Sequence, residues 1–389
     1  PSTSAGEAYL TDATISERQW QVNANLNYVI TDHHSVTLNN VFSALRRKSD
    51  DKMYPDYEMN NVPQQLTKNI TGLGYQIRYN RWNANVFGKM YRLYSSTNKL
   101  MDQFTDDQRW EKLSERKHNY GYGAAATYYI LPSLQAKASF EHAYRMPEAV
   151  EMFGDGLIQK SNPDLRPESS DNLNIGLLFD QTFSAHRLQA EVNYIHRDTK
   201  DFILRGVSLS SNPTTSYENI GRVKTRCVEV SLGYSYRDAL HVSGNLTYQN
   251  IKDDQQYQTT ENTFVGDGII ENITYGQRLP NIPYLFMNGH ADYQFFNFGA
   301  KGNTLSLNYD LQSVLDYYLS FTGLGAKATK KVIPEQLSHN VSVGYSLCDG
   351  RYSVVLECTD ITNAKLYDNY RLQKPGRSFS LKFRYYLSK

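Results

Sequence analysis

The sequence predicts an all-β protein, an antiparallel β-barrel whose strands cross a membrane. Apolar residues recur at every second position in about fifteen segments of roughly ten residues, the length of tilted membrane strands. Short turns alternate along the chain with long polar segments, as they do in membrane barrels. Tyrosine supplies 31 of the 389 residues, and its ring suits both strands and the membrane–water boundary.

The first segments show the alternation plainly. From Gln19 onward, apolar residues at 22, 24, 26, 28 and 30 alternate with polar ones, and the pattern resumes after the turn at 31–35. The segments 71–79 and 82–90 are separated only by Asn80 and Arg81. Pairing Tyr79 with Trp82 keeps every apolar side chain of this hairpin on one face, so this register is predicted.

The later segments repeat the pattern, and one turn fixes a register independently. Asp349-Gly350 is a strong signal for a two-residue turn, because both positions favour positive φ. It places Leu347 opposite Tyr352 and Cys358 opposite Val341, too far from Cys348 for a disulfide. The remaining alternating segments are 122–130, 134–140, 173–179, 188–194, 228–234, 242–248, 285–293, 305–309, 341–347, 352–356 and 379–385.

The long polar segments are expected to be loops on one side of the membrane. They are 48–67, 96–117, 145–168, 199–222, 252–280, 319–337 and 362–377. A soluble β-sandwich also alternates apolar and polar residues, but nothing requires it to put every long loop at one end. A helical membrane protein is excluded, because no apolar run approaches the length of about 20 residues that a membrane helix needs.

Composition and motifs give no indication of an enzyme. The net charge of +1 provides no basic field for nucleic acid, and the three cysteines form neither a disulfide framework nor a zinc spacing. The segment 121–126 reads GYGAAA, similar to a dinucleotide fingerprint, but it lies inside an alternating strand and opens no helix. We therefore predict no catalytic residue and no cofactor.

Metal binding is the weaker of two interpretations for several charged groups. His33 and His34 occupy a short turn, where solvation explains them as well as metal binding. Three aspartate pairs, at 50–51, 106–107 and 253–254, offer the oxygen ligands that calcium prefers. Charged loop tips account for the same pairs, so the sequence predicts no metal site.

The segment 145–168 carries the most specific pattern in the chain. Prolines at 147, 163 and 167 stiffen it and stop helices and strands. Two linked motifs lie between alternating strands, R-x-P-x-x-x-E-x-F-G and N-P-x-L-x-P-E. Their residues are Arg145, Pro147, Glu151, Phe153, Gly154, Asn162, Pro163, Leu165, Pro167 and Glu168. This pair of motifs resembles that of the TonB-dependent receptors of the bacterial outer membrane. The segments 360–363 and 375–379 are similar to the last loop and the last strand of those receptors.

The resemblance implies an active importer in the outer membrane of a Gram-negative bacterium. Residues 1–389 would form the C-terminal portion of a barrel of about twenty-two strands. An N-terminal segment on the same gene product or a companion chain would supply the other strands and the plug. The implied partners are outer-membrane lipids, a TonB-type energising protein that acts through the plug, a small nutrient ligand and, in some systems, a surface lipoprotein; nucleic acid is not among them.

The resemblance leaves the nutrient open among ferric siderophores, cobalamin, haem, and oligosaccharides or peptides. Haem receptors of this family place a histidine between the two motifs, and none lies there in this chain. The motif residues Pro147, Glu151, Asn162, Pro163, Leu165, Pro167 and Glu168 are expected to hold the loop in place. Candidate ligand contacts are Arg145, Glu148, Arg205, Tyr217, Asp267, Tyr317, Tyr318 and Phe321. A passive porin and an outer-membrane hydrolase are the alternative functions.

Overall fold

The computed structural model describes residues 12–52, 62–100, 110–155, 159–208, 214–262, 266–324 and 330–387. Strands dominate the described chain. In order, the elements are β1 (Ala13–Thr31), β2 (His34–Asp51), β3 (Gln64–Tyr79), β4 (Trp82–Leu100), β5 (Trp110–Leu131), β6 (Leu134–Arg145), α1 (Ala149–Phe153), β7 (Glu168–Phe183), β8 (His186–Ser208), β9 (Thr214–Tyr236), β10 (Leu240–Asp253), β11 (Tyr257–Asn262), β12 (Gly266–Glu271), β13 (Leu285–Phe296), β14 (Thr304–Val314), β15 (Tyr317–Tyr318), β16 (Val332–Ile333), β17 (Gln336–Leu347), β18 (Tyr352–Thr359), β19 (Tyr367–Asn369), β20 (Leu372–Gln373) and β21 (Ser378–Tyr385).

Within these residues, fifteen strands form one antiparallel sheet, which confirms the predicted number. Their order is β1-β2-β3-β4-β5-β6-β7-β8-β9-β10-β13-β14-β17-β18-β21, so each strand neighbours the next one along the chain, apart from the short strands of the long loops. Those short strands pair as β11–β12, β15–β16 and β19–β20. No helix of the described residues is long and apolar enough to cross a membrane.

The expected strand length of about ten residues is wrong for much of the sheet. The strands β8 and β9 have 23 residues each, and β5 has 22. The expected loops 48–67, 96–117 and 199–222 are shorter as a result, because the flanking strands extend into them. Apolar alternation marks only the part of a strand that faces lipid. Beyond it the backbone ladder continues, since main-chain hydrogen bonds do not require apolar side chains.

Both predicted registers are confirmed. Tyr79 pairs with Trp82 across the turn at Asn80, whose φ is +48°. Leu347 pairs with Tyr352 and Val341 with Cys358. Cys227, Cys348 and Cys358 are all free thiols.

The segment 121–126 lies within β5, as predicted, and its glycines make room for aromatic rings of β4. A Cβ added at Gly123 would lie 2.5 Å from Cζ of Phe87, and one at Gly121 would lie 3.0 Å from Cε2 of Tyr91. The glycines of this segment therefore allow close side-chain packing on a strand.

One face of the sheet is exposed and apolar. Leu38 pairs with both Leu26 and Leu73, and the side chains of all three are exposed. Their neighbours along the strands are asparagine, threonine and glycine, which occupy the opposite face. An exposed apolar face of this width is what a membrane-embedded sheet presents to lipid.

Contacts divide the chain into two units. Unit 1 comprises Pro1–Ala126, Ser139–Leu173 and Asp198–Val223. Unit 2 comprises Thr127–Ala138, Asn174–Arg197 and Lys224–Lys389. Unit 1 contains an apolar core cluster built around Met152 and Leu165 of the segment 145–168.

The assignment of faces predicts a sharp difference between adjacent positions of β2. Leu38→Lys should reduce the free energy of folding into lipid by about 2–4 kcal/mol, because the ammonium group would lie in hydrocarbon. Asn39→Lys, one residue further on, should cost much less, because its side chain lies on the polar face. Equilibrium unfolding from lipid vesicles measures both. Equal costs at the two positions would contradict the assignment.

Candidate functional site

The candidate site is the motif loop, residues 145–168, in unit 1; residues 156–158 lie outside the described chain. Its first half folds into the short helix α1, which sequence reasoning did not anticipate. Glu148 lies at the N-cap in extended conformation, and its backbone N–H donates to Oε2 of Glu151 at 2.7 Å. Pro147 immediately before the cap lacks an N–H donor and ends β6. Glu151, three residues after the N-cap, is the acid that a capping box places there, but Glu148 is not one of the usual N-cap residues, so the sequence signal for α1 is weak.

Arg145 joins the two ends of the motif loop. Its Nη1 donates to both carboxylate oxygens of Glu151, at 3.0 and 3.1 Å, and its Nη2 donates to Oε1 of Glu168 at 3.0 Å. The same Oε1 accepts the backbone N–H of Ile203 at 2.6 Å. The first motif, the second motif and β8 therefore meet at one guanidinium group.

The electrostatics favour a charged Arg145. The side chains of Glu151 and Glu168 are only 10% and 11% exposed, whereas that of Arg145 is 42% exposed. Burial alone would lower the pKa of Arg145, but the hydrogen bonds and charges of Glu168 and Glu151 outweigh it and raise that pKa. The guanidinium is the ionic partner of both carboxylates, so removing it would leave two buried acids without compensation.

Apolar packing fixes the loop on the sheet. Met152 and Leu165 have no exposed surface, and Pro147 is almost as completely buried. The cluster to which Met152 and Leu165 belong is formed by Leu66, Tyr91, Leu93, Met146, Ala149, Met152, Phe153, Leu165 and Ile203, with Leu45, Ile70, Tyr144 and Tyr217 packed against it. Full burial of side chains of this size contributes about 1.5–3 kcal/mol each.

This packing occurs on the face opposite to the exposed apolar one. In β3, Leu66 and Ile70 contact the cluster, whereas Leu73 and Ile77, at odd-numbered positions, are exposed. Odd and even positions of a strand point to opposite faces. The motif loop of unit 1 therefore lies on the side of the sheet that faces away from lipid.

Hydrogen bonds attach the second half of the loop to the start of β9. Nδ2 of Asn162 donates to the carbonyl oxygen of Tyr217 at 2.8 Å. The backbone N–H of Lys160 donates to the carbonyl oxygen of Thr215 at 2.8 Å, and the hydroxyl of Thr215 donates to Oε1 of Gln159 at 2.6 Å. Because these donors and acceptors are largely buried, the path of the loop is well determined.

Three cations from elsewhere in unit 1 complete the attachment, and sequence reasoning missed all of them. Nη1 of Arg47 donates to the carbonyl oxygen of Gly154 at 2.5 Å. Nζ of Lys117 donates to the carbonyl oxygen of Leu165 at 3.1 Å, and Nζ of Lys68 lies 2.7 Å from Oε1 of Glu148. No local pattern marks these partners, since each lies more than 45 residues away from its contact in the chain.

Four of the predicted ligand contacts belong to unit 1. Arg145 and Glu148 are engaged by the loop itself, as described above. Tyr217 packs against the apolar cluster. Arg205 is exposed, and its Nη2 donates to the hydroxyl of Thr215 at 3.3 Å. Glu148 is exposed as well, but its carboxylate is paired with Nζ of Lys68, whereas Arg205 contacts an uncharged hydroxyl.

The other four belong to unit 2. Asp267 lies in β12 opposite Glu261, and its side chain is outside the described part of the structure. Tyr317 and Tyr318 form β15 and pair with Ile333 and Val332. Burial raises the pKa of the Tyr317 hydroxyl, whereas Tyr318 is exposed.

Phe321 follows β15 in the chain. Its side chain is half-buried, and its carbonyl oxygen accepts the backbone N–H of Leu324 at 3.3 Å. Among the residues of unit 2 that were proposed as contacts and whose side chains are described, Tyr318 is therefore the most open to a ligand.

Among the aspartate pairs, Asp253 is held by hydrogen bonds from neighbouring residues. Oδ2 of Asp253 accepts Nδ2 of Asn272 at 2.9 Å and the hydroxyl of Thr274, and Oδ1 accepts the backbone N–H of Gln255 at 2.9 Å. Asp106 and Asp107 lie outside the described residues. In the described chain, no group of three or more histidine, cysteine, aspartate or glutamate side chains could hold a metal ion.

Sheet and loop together define a class of protein. A wide antiparallel sheet with an exposed apolar face, short turns and long loops is that of an outer-membrane β-barrel. The family model described as TonB dependent receptor-like, beta-barrel matches residues 101–361. The chain therefore belongs to this family, which comprises receptors and transporters of the Gram-negative outer membrane rather than enzymes.

Solved structures show the same fold at low sequence identity. The copper transporter OprC matches with a TM-score of 0.72 at 12% identity, over 96% of this chain and 57% of that one. The siderophore receptor PiuA from Acinetobacter baumannii gives 0.65 at 14%, over 96% and 56%. The hemophore receptor HasR from Serratia marcescens, in complex with HasA and heme, gives 0.65 at 15%, over 96% and 59%. The chain thus spans little more than half of each of these structures. No curated protein matches the sequence.

The geometry of Arg145 predicts a structural role for its side chain. Arg145→Ala should lower the free energy of unfolding by on the order of 2–3 kcal/mol, because Glu151 and Glu168 would lose their shared cation while buried. Thermal unfolding of the purified barrel measures this change. Ligand affinity of the fraction that remains folded should change little.

Arg166→Ala is the matched control. Arg166 pairs with Asp201 at 2.6 Å, but the two side chains are 60% and 39% exposed. An exposed ion pair contributes about 0–1 kcal/mol, so this variant should be close to wild type. Loss of ligand affinity in Arg145→Ala without loss of thermal stability would make Arg145 a ligand contact instead.

Proposed function

We propose that this protein is a TonB-dependent active importer of a scarce nutrient, and that this chain contributes the C-terminal portion of its barrel. Family membership supports a receptor in the outer membrane. Three further elements belong to the proposal: active transport, coupling to a TonB-type protein through a plug, and a nutrient ligand. The plug and the remaining strands, expected from the sequence motifs, stay predictions.

One observation carries the choice of importer over porin. The motif loop packs Met152, Phe153 and Leu165 against the lipid-distal face of β2, β3 and β4, and Arg145 ties the two ends of the loop together. A passive pore needs a wall lined by solvated polar groups, whereas this loop buries part of that wall under an apolar cluster. A fixed, largely dry structure at this position suits a receptor that binds its cargo before admitting it.

Chemistry and the comparisons together support one ligand class over the others. Among the matched structures are a copper transporter, siderophore receptors, a ferric yersiniabactin uptake receptor and a hemophore receptor. A ferric siderophore is the ligand that we propose first. Tyr318 and Arg205 are the exposed candidates for contact with it, since aromatic rings and cations suit the aryl and anionic groups of iron chelates.

The absence of a motif histidine favours a chelated metal over haem. In haem receptors of this family a histidine between the two motifs binds the iron, and this chain has none between Pro147 and Asn162. Cobalamin and oligosaccharides or peptides remain ligand classes to be included in a screen.

Energy dependence separates the importer from the porin. Cells that produce the receptor should accumulate radiolabelled ferric siderophore, and a protonophore should abolish this uptake while surface binding persists. Deletion of the TonB-type partner should have the same effect. Uptake that continues at the same rate after either treatment would show a passive channel.

A ligand screen completes the test. Binding of ferric siderophores, cobalamin, haem and oligosaccharides to the purified receptor is measured by quenching of tryptophan fluorescence. The proposal predicts saturable binding of at least one ferric siderophore, with haem binding weakly or not at all. Tight binding of haem alone would contradict the choice of ligand class.

A further inference from the structure

A cluster of tyrosine and cationic side chains lies in unit 2, at the corner where β8 begins and β9 ends. Nδ1 of His186 and the hydroxyl of Tyr234 are 2.7 Å apart, and the two rings stack with centroids 6.0 Å apart. The ring of Tyr236 lies 4.8 Å from that of His186, and Cζ of Arg237 lies 5.3 Å from the centroid of Tyr236. When Tyr234 donates its hydroxyl proton to Nδ1, Nε2 of His186 carries a hydrogen that it can donate to a ligand.

Arg237 differs from the other arginine of this corner. Arg187 forms a two-pronged ion pair with Asp180, with its Nε at 2.9 Å and its Nη2 at 2.6 Å from the two carboxylate oxygens. Arg237 is exposed and forms no ion pair with a described residue, and its guanidinium lies against the Tyr236 ring. Its charge is therefore available to an anion.

An apolar groove begins at the same corner. It has a volume of 510 Å³, and Tyr234, the partner of His186, is one of its walls. Its other apolar side chains are Leu188, Val230, Leu232, Val242, Leu246 and Met287. Gly244 and Gly289 pair directly across β10 and β13, so no side chain fills the sheet surface at that point. The groove lies on the exposed apolar face, which in this family faces lipid.

We propose that this corner and groove form a binding site for one phospholipid. The phosphate group would accept hydrogen bonds from Arg237 and from Nε2 of His186, with Tyr236 beneath the guanidinium. One acyl chain would lie in the groove above Gly244. The corner is at a short turn, which in outer-membrane barrels faces the periplasm, so the lipid belongs to the inner leaflet of the outer membrane.

Three features favour a phospholipid over a general membrane contact. The cationic corner and the apolar groove are continuous through Tyr234, which matches the order of headgroup and acyl chain. Arg237 lacks an acidic partner among the described residues, so an external anion would complete its environment. Another short turn, at 348–351, also places an arginine, Arg351, 5.9 Å from the tyrosine ring of Tyr385, but the apolar groove described above is lined by Tyr234 and by no residue of that turn. The combination therefore singles out the His186 corner.

Native mass spectrometry of the receptor extracted from outer membranes tests this proposal. The protein is stripped of lipid, then titrated with phosphatidylglycerol or with diacylglycerol that carries the same acyl chains. Wild type should bind one phosphatidylglycerol about tenfold more tightly than diacylglycerol, because hydrogen bonds to the charged phosphate are lost with the latter. Equal affinity for the two lipids would overturn the headgroup site.

Variants assign the site to its residues. His186→Gln combined with Arg237→Gln should weaken phosphatidylglycerol binding about tenfold, whereas Arg187→Gln, whose guanidinium is held by Asp180, should bind as wild type does. Gly244→Leu should also weaken binding by filling the groove that Gly244 lines; a Cβ there would lie 3.3 Å from the carbonyl oxygen of Asn288. Circular dichroism confirms that each variant is folded.

Two results would overturn the proposal. One is wild-type affinity in both the double variant and Gly244→Leu. The other is a loss of affinity in Arg187→Gln equal to that of the double variant, which would show that the lipid is attracted by the net positive charge of the corner and not by a defined site.

Discussion

The guanidinium group of Arg145 holds two buried carboxylates at once, and the path of the motif loop depends on that contact. Glu151 lies six residues after Arg145 in the chain and Glu168 lies 23 residues after it. The two ion pairs therefore join the ends of a short segment and of a long one. With the two acids neutralised, the apolar residues between them can pack on the sheet without leaving charge in a dry environment. The backbone contact of Glu168 with Ile203 extends the same restraint to β8.

The sequence alone predicted the sheet well, because the sheet obeys a simple rule. Lipid requires apolar side chains at alternate positions and a backbone whose hydrogen bonds are satisfied within the protein. That rule gave the number of strands and the pairings of Tyr79 with Trp82 and of Leu347 with Tyr352. The rule did not predict where β8 and β9 end. Beyond the membrane their residues are polar and do not alternate, although the hydrogen bonds between the strands continue.

The motif loop was recognised in sequence, but its construction was not. Of the motif residues proposed as structural, Glu151, Leu165 and Glu168 are buried and Asn162 is partly buried; their structural role stays a prediction. Helix α1 was missed because prolines on both sides argued against it and its capping signal is weak. The attachments through Arg47, Lys117 and Thr215 depend on contacts between distant segments, and a single sequence contains no local signal for them. The eight proposed ligand contacts were chosen by residue type, and no ligand has yet tested any of them.

The two units differ in which part of the sheet surface is firmly held and which part is exposed. In unit 1 the motif loop is tied down by ion pairs and apolar burial, which leaves Arg205 as an exposed group beside it. In unit 2 the apolar face carries a groove and a cationic corner that suit a lipid.

A double-mutant cycle between Arg145 and Glu168 tests the central claim most directly. The free energies of unfolding are measured for wild type, Arg145→Ala, Glu168→Gln and the double variant in the same lipid. If one guanidinium restrains the loop, the double variant should be less destabilised than the sum of the single variants, by at least about 1 kcal/mol. Costs that add to within about 0.5 kcal/mol would show that the two residues act independently, and would contradict the account.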